Sequence, residues 1–240
     1  RGIERNPKKE IWSDDQDEIR QLLDLFDAEI AANDASFGAL LDRLREIDLY
    51  DDTLIIFVSD HGEEFLDHGG WTHGRNLHAE TLDVPLVLKL PGQRRGRRVP
   101  EIVQHIDLLP TILDVAGLRQ PARSEGHSLL PLVTQPADQF LGARPGFSHV
   151  SLVRGVTTSI IVGDWKLISR QSRGSQKIRL YRWPEDPGER NDLASRFPVR
   201  TRSLRALLEE KLASPEAGLA GEEAELDSEL EQRLKALGYL

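Results

Sequence analysis

Two hydrophobic patterns alternate along the first part of the chain. From Ser13 to Asp48 apolar residues recur at spacings of three and four, which predicts a helix that Ser13 caps. Gly38 lies inside this pattern, which suggests either close packing at that position or a break between two helices. The next run, Thr53 to Val58, is nearly continuous in β-branched and aromatic residues. Such a run is typical of a strand that is buried on both faces.

A second apolar strand is predicted over Pro85 to Leu90, where Pro91 and Gly92 end it. Asp107 can then cap a short helix that ends at Gly117. Helices that alternate with apolar strands are typical of an α/β domain. We therefore predict a mostly parallel or mixed sheet flanked by helices in residues 1–145.

The pattern changes near Gly146. Short alternating runs separated by glycine-containing turns predict an antiparallel meander, followed by two helical patterns. We assign residues 146–240 to a small antiparallel-sheet subdomain with C-terminal helices. The predicted strands are 157–162, 165–169 and 177–182, and the predicted helices are 201–213 and 222–237.

Composition excludes several classes of function. The chain has no Cys, so Cys-ligated zinc and thiolate nucleophiles are excluded. With 40 acidic and 31 basic residues the net charge is -9, which argues against nonspecific nucleic-acid binding. The longest apolar run, Leu54 to Val58, is far shorter than the roughly 20 residues that a membrane span needs. Because there is no Met and the chain begins at Arg1, we expect it to be a piece of a longer protein.

Candidate chemistry follows the first predicted strand. Asp60 and His61 come directly after it, and four of the seven His residues lie between His61 and His78. Ligands of open α/β sheets bind beyond the carboxyl ends of strands. Adjacent Asp and His can offer one oxygen and one nitrogen to a divalent cation. Taken singly, Asp60 also suits a helix cap and His61 a backbone hydrogen bond, but the Gly-rich polar loop around them favours a functional role.

The remaining histidines of this segment have a different interpretation. His68 precedes Gly69 and could either cap the loop or reach the site, and we favour a structural role. His78 begins a segment that leads into the second strand, so we expect it to be buried and hydrogen-bonded.

Several short motifs occur in an order that resembles that of a known protein family. The run Ser59-Asp60-His61-Gly62-Glu63 is followed by His68-Gly69, His73-Gly74 and Val84-Pro85-Leu86. In this order the motifs resemble the C-terminal half of the sulfatase family, within the alkaline-phosphatase superfamily. Further matches are Asp107-Leu108-Leu109-Pro110-Thr111, Asp186-Pro187-Gly188-Glu189 and the closing Leu237-Gly238-Tyr239-Leu240.

The resemblance implies a hydrolase of sulfate esters with an alkaline-phosphatase-like fold. It implies one divalent cation, usually calcium, held here by Asp60 and His61, and a formylglycine nucleophile. His73 matches the basic residue that donates to the sulfate and the leaving oxygen, with Arg75 as the alternative. Because His61 stands where relatives have Asn or His, a nitrogen ligand also admits manganese or zinc. The implied substrate is a sulfated small molecule or glycan, and the implied location is periplasmic or secreted.

The chain also departs from the family pattern. It contains no Cys-or-Ser-x-Pro-x-Arg motif and no pair of Asp residues at the end of a buried strand that would complete the metal site. Asp14-Asp15 begins a helix, and Asp51-Asp52 lies in a turn. We therefore expect the nucleophile-bearing half to lie outside this chain, and the chain alone to be inactive. That half, or an oligomeric partner, would cover the apolar strand edges.

Two other functions fit the same residues. A phosphodiester or phosphonate monoester hydrolase of the same superfamily would also use the Asp60–His61 pair. A noncatalytic binding module that kept the scaffold and lost its nucleophile is the third possibility. A nucleophile motif upstream of this chain would favour the enzymes over the module.

Overall fold

A long helix opens the structured part of the chain. The computed structural model describes residues 15–121, 124–135, 144–152 and 155–214. Helix α1 (Gln16–Glu46) begins at Asp15, whose carboxylate accepts the backbone N–H of Asp17 at 2.8 Å. The expected cap, Ser13, lies outside the described residues. The helix continues through Gly38 as one element, and nothing lies within 4 Å of the Cβ position there, so neither the break nor the close packing suggested for Gly38 is found in the described residues.

Two strands and a glycine-rich loop between them follow α1. Strand β1 (Ile55–Val58) pairs with β4 (Leu86–Lys89), and Ile56 lies opposite Leu88. The loop between them holds the remaining elements, which are β2 (Glu64–Phe65), β3 (Trp71–Thr72) and α2 (Ala79–Leu82). Strands β2 and β3 pair antiparallel as a small hairpin.

The β1–β4 pair differs from the expected arrangement in two ways. It is antiparallel, so the mostly parallel sheet predicted from the sequence is not what these two strands form, although a mixed sheet is compatible with them. Both strands are only partly buried, and the Val87 side chain is exposed. An apolar run encodes a preference for burial but neither the direction of the neighbouring strand nor its presence.

A buried aspartate organises the next segment. After the 3-10 turn His105–Asp107 come α3 (Leu108–Val115) and α4 (Leu130–Thr134). The fully buried Asp107 accepts the backbone N–H of His127 at 2.9 Å and pairs with Arg144 at 2.8 Å. The Asp107 carboxylate therefore joins the 3-10 turn to the segments around His127 and Arg144. These partners replace the water that would hydrate an exposed carboxylate.

The C-terminal region forms the predicted antiparallel meander. Its strands are β5 (Gly146–Leu152), β6 (Gly155–Val162), β7 (Trp165–Ser172) and β8 (Ser175–Arg182), in that spatial order. Helix α5 (Pro198–Ala213) packs on the sheet. The meander and its helix confirm the prediction, whereas β5 was not anticipated. The core between them consists of Ile160, Leu167, Leu180, Leu204 and Leu208.

The described residues confirm the mixed helix and strand class. The predicted helix 222–237 lies outside them, and the domain boundary at residue 145 stays a prediction. Among the helices in the described ranges, none combines the length and apolar character needed to cross a bilayer.

Candidate metal and substrate site

The end of β1 presents Asp60 and His61 to one side of the molecule. The Asp60 carboxylate is 75% exposed, and its Oδ2 lies 3.7 Å from Nε2 of His61. The other carboxylate oxygen, Oδ1, accepts the backbone N–H of His61 at 3.0 Å. Oδ2 of Asp60 and Nε2 of His61 are therefore close enough to contact the same cation.

A close backbone approach behind the pair explains the glycine that follows. The N–H of Gly62 donates to the carbonyl of Thr81 at 3.1 Å. A Cβ at position 62 would lie 2.1 Å from the carbonyl oxygen of Glu80. Only glycine lets the chain turn away from β1 while packing against α2.

His73 comes to the same place although it lies twelve positions after His61. The two imidazole rings stack with centroids 3.8 Å apart. Nδ1 of His73 lies 2.7 Å from Oε1 of Glu63. The fold therefore assembles Asp60, His61 and His73, and it adds Glu63, which the sequence analysis did not select. The available signal was its position two residues after the candidate metal ligand His61.

Arg75, the alternative to His73, lies two residues farther along the loop, with an exposed side chain. The stacking of His73 on His61 makes His73 the better placed of the two for a substrate held near Asp60. The role of Arg75 as the alternative to His73 stays a prediction.

A buried carboxylate organises the loop that carries His73. Glu64 is only 2% exposed, and its Oε1 accepts the backbone N–H groups of His68 at 2.9 Å and Gly70 at 2.7 Å. Its other oxygen accepts from the side chain of Asn76. A Cβ at Gly70 would lie 2.5 Å from this carboxylate. Of two adjacent glutamates, one shapes the loop and the other contacts His73, a division that sequence alone did not reveal.

The other two loop histidines turn away from the site. His78 is buried and hydrogen-bonded through Nδ1 to Glu189 at 2.6 Å, which confirms its predicted role. His68 stacks on it and bonds to Glu80, so its structural role is also confirmed. His105, which had no predicted role, reaches the carbonyl oxygen of Ser59 at 2.8 Å and ties the 3-10 turn to the end of β1.

A cavity of about 600 Å³ lies next to the candidate ligands. Asp60, His61 and His105 line it on one side, and Phe147 and Ser148 of β5 line it on another. Its volume is in the range of small-molecule sites, which hold roughly 300 to 1,000 Å³. A ligand in this space would have direct access to Asp60 and His61.

The donor set fits a divalent cation. One ligand atom each from His61, Glu63 and His73 can be chosen so that all three lie within 4.8 Å of one another. Together with the exposed Asp60 carboxylate they offer oxygen and nitrogen ligands. Such a mixed set suits manganese or zinc, and the carboxylates alone suit calcium.

Comparisons with known proteins match most of the chain to one family. The sulfatase family model matches residues 4–118, and the model of the C-terminal region of N-sulphoglucosamine sulphohydrolase matches residues 67–217. Arylsulfatase K of Mus musculus is 30% identical over 196 residues, which are 79% of this chain and 35% of that protein. The chain thus spans about a third of the length of the curated relatives it matches.

Solved structures resemble the chain over similar lengths. One was determined in complex with its substrate D-glucosamine-2-N,6-O-disulfate; it has a TM-score of 0.63 and 26% identity, over 78% of this chain and 40% of that one. A phosphonate monoester hydrolase from Silicibacter pomeroyi has a TM-score of 0.60 and 25% identity, over 75% and 38%.

Proposed function

Because this chain belongs to the sulfatase family, we propose that it forms the metal-binding C-terminal part of a sulfuric ester hydrolase. The observation that carries this proposal is the stacking of His73 on His61 beside Asp60. Asp60 and His61 follow the end of β1 and line the adjacent cavity.

Asp60 and His61 would hold the divalent cation that sulfatases generally bind. When bound, the cation supplies Lewis-acid polarisation of the sulfuryl oxygens. The Asp60 carboxylate contributes negative charge to the ligand set, and His61 contributes a neutral nitrogen. Calcium is the cation implied by the family, and the nitrogen donors extend the choice to manganese or zinc.

His73 would serve as the proton donor to the leaving group. Its Nδ1 faces the Glu63 carboxylate, which can only accept, so Nδ1 carries a proton and Nε2 is directed elsewhere. With a second proton on Nε2, His73 has no lone pair for the metal, so in this proposal it is not a ligand and can protonate the ester oxygen as the S–O bond breaks. The Glu63 carboxylate stabilises the positive ring before that transfer. Arg75 would provide an additional positive charge for the anionic substrate.

The nucleophile must come from another part of the protein. The sequence holds no Cys and no Ser-x-Pro-x-Arg motif that could become formylglycine. We propose that the nucleophile lies in a region of the intact protein that corresponds to the part of the relatives not matched by this chain. On its own, the chain would then bind metal weakly and catalyse no turnover.

Exposed apolar side chains also support the proposal that another part of the protein packs against this chain. No residue of α1 is buried in the described part of the chain, and Leu25 and Ile30 are exposed, as is Val87 on β4. Burial of such side chains contributes about 1.5 to 3 kcal/mol each. We propose that the nucleophile-bearing part covers these surfaces in the intact protein.

A sulfated glycan or a smaller sulfate ester is the proposed substrate. The structural relative that was solved with a disulfated glucosamine supports the glycan class. The resemblance to a phosphonate monoester hydrolase supports a second candidate, since an Asp–His cation site suits phosphonate esters equally.

The decisive experiment compares substrates with the intact protein. Hydrolysis of an aryl sulfate should exceed hydrolysis of an aryl phosphodiester or a phosphonate monoester. The opposite order would favour the second candidate, and no hydrolysis of either would favour the binding module. Asp60→Ala should remove both metal and activity, whereas Asp52→Ala in the exposed turn should retain both. Unchanged metal content and activity in Asp60→Ala would show that the site assignment is wrong.

A further inference from the structure

A buried ionic cluster lies between the site loop, residues 59–78, and the C-terminal sheet. Glu189 is at its centre, 2% exposed, in the turn that follows β8. Its Oε1 accepts from Nζ of Lys166 on β7 at 2.5 Å, and its Oε2 accepts from Nδ1 of His78 at 2.6 Å. We call His68, His78, Lys166 and Glu189 the Glu189 cluster. None of these residues belongs to the proposed metal site.

His68 joins this cluster through both of its ring nitrogens. Its Nδ1 lies 2.8 Å from Oε1 of Glu80, and its Nε2 lies 3.1 Å from the backbone carbonyl oxygen of Glu189. The His68 ring therefore links α2 to the turn after β8.

His78 lies directly against His68. Its Nδ1 lies 2.6 Å from Oε2 of Glu189, and its Nε2 lies 3.5 Å from Nη1 of Arg179. The two imidazole rings stack with centroids 3.5 Å apart and planes 6° apart. The stack and these contacts hold both histidines against Glu189.

The cluster fixes the loop on both sides of His73. His68 precedes His73 by five residues and His78 follows it by five, and Glu189 contacts both. The neighbouring Arg190 also donates to the backbone carbonyl of Asp67. Within the loop, Glu64 holds the backbone of His68 and Gly70 and the side chain of Asn76. Glu64 thus organises the loop from inside, and Glu189 attaches it to the C-terminal sheet.

We propose that Glu189 is a positioning residue, which holds the loop so that His73 stays stacked on His61. This inference rests on the proposed function, because it is His73 whose position matters for the reaction. Glu189 is 111 residues from His78 in sequence, and its carboxylate bonds to His78 and Lys166, neither of which is a proposed metal ligand. Because Glu189 and Lys166 also line the cavity beside Asp60 and His61, the test must separate two effects. An effect through the loop lowers kcat at nearly constant KM, whereas direct contact with the substrate would raise KM.

The test uses Glu189→Gln in the intact protein. The amide keeps the shape of the side chain but cannot accept from both Lys166 and His78. With an aryl sulfate, kcat should fall by up to about 100-fold, because a displacement of His73 by about 1 Å is enough for such a loss, while KM stays within about threefold. Amide hydrogen exchange of residues 66–78 should become faster. A wild-type kcat, or unchanged exchange in this loop, would overturn the proposal.

Two control variants separate positioning from general destabilisation. Glu185→Gln alters an exposed carboxylate of the same turn, which pairs with Arg182, and should leave kcat and exchange unchanged. Leu204→Ala weakens the core between α5 and the sheet without touching the cluster, so kcat of its folded fraction should be unchanged. An equal loss of kcat in Leu204→Ala would assign the effect to stability and overturn the proposal.

The remaining outcomes are also decisive. If Glu189→Gln does not fold, His68→Gln replaces it, with the same expected loss of kcat and faster loop exchange. If the wild-type protein hydrolyses no sulfate ester, the proposed function fails. The exchange measurement then still decides whether Glu189 orders the loop, because it requires no activity.

Discussion

Nδ1 of His73 lies 2.7 Å from Oε1 of Glu63, across a loop of ten residues. The contact selects one tautomer of His73 and sets the direction of its other nitrogen. It also places a carboxylate against the imidazole that stacks on His61. A carboxylate in this position orients the ring and stabilises its charged form.

Glu63→Gln should lower kcat/KM for an aryl sulfate by roughly 10- to 100-fold, the usual effect of removing such a partner. The amide preserves the volume but not the negative charge that stabilises the His73 cation. Steady-state kinetics of the intact protein measures the effect. Glu46→Gln, at the exposed end of α1, is the matched control and should behave as wild type. Equal activity of the two variants would contradict the role of Glu63.

The choice of metal should depend on the nitrogen of His61. His61→Asn replaces an imidazole by an amide oxygen, which favours calcium over zinc. We expect the ratio of zinc affinity to calcium affinity to fall by about tenfold or more. Competition titration of the chelator-treated intact protein measures this ratio. His127→Asn changes an exposed histidine away from the site and should leave the ratio unchanged. An equal ratio in both variants would exclude His61 as a ligand.

Gly62→Ala should disrupt the site through the backbone. The new Cβ would lie 2.1 Å from the carbonyl oxygen of Glu80, so the strand end and α2 would have to separate. Metal binding and activity should fall together, and thermal denaturation should report lower stability. Gly96→Ala is the control, because nothing lies within 4 Å of its Cβ position. Wild-type metal binding by Gly62→Ala would show that this close approach is not required.

Acidification should weaken the Glu189 cluster. Burial alone would raise the pKa of Glu189, but hydrogen bonds from His78 and Lys166 and the charges of these two side chains outweigh it and hold the pKa below its ordinary value of 4.5. A lowered carboxyl pKa means that the unfolded state binds the proton first. The stabilisation is therefore complete above pH 4.5 and is lost as the pH falls through the lower native pKa.

This dependence can be measured as the free energy of unfolding between neutral pH and pH 3. Glu189→Gln should lower it by about 3 to 5 kcal/mol at neutral pH, since it leaves the buried Lys166 charge without its partner. Below pH 4.5 the difference between wild type and variant should shrink. A difference that stays constant with pH would show that ionised Glu189 does not contribute.

Local patterns in the sequence were enough to predict several strands and to select the candidate site residues. The run 53–58 predicted a strand, the motif after it located Asp60 and His61, and the alternating runs after Gly146 predicted the meander. The strand and meander predictions are confirmed, because periodicity and turn residues act over a few neighbouring positions. The roles of Asp60, His61 and His73 stay predictions, and that of His73 came from the resemblance in motif order.

Only the tertiary structure decided how distant segments meet. It stacked His73 on His61, divided the roles of Glu63 and Glu64, and brought Glu189 against His78 from 111 positions away. It also made β1 and β4 antiparallel, a direction that an apolar run does not encode. Such contacts depend on the packing of the whole chain, where a buried charge is tolerated only next to a partner that another element supplies.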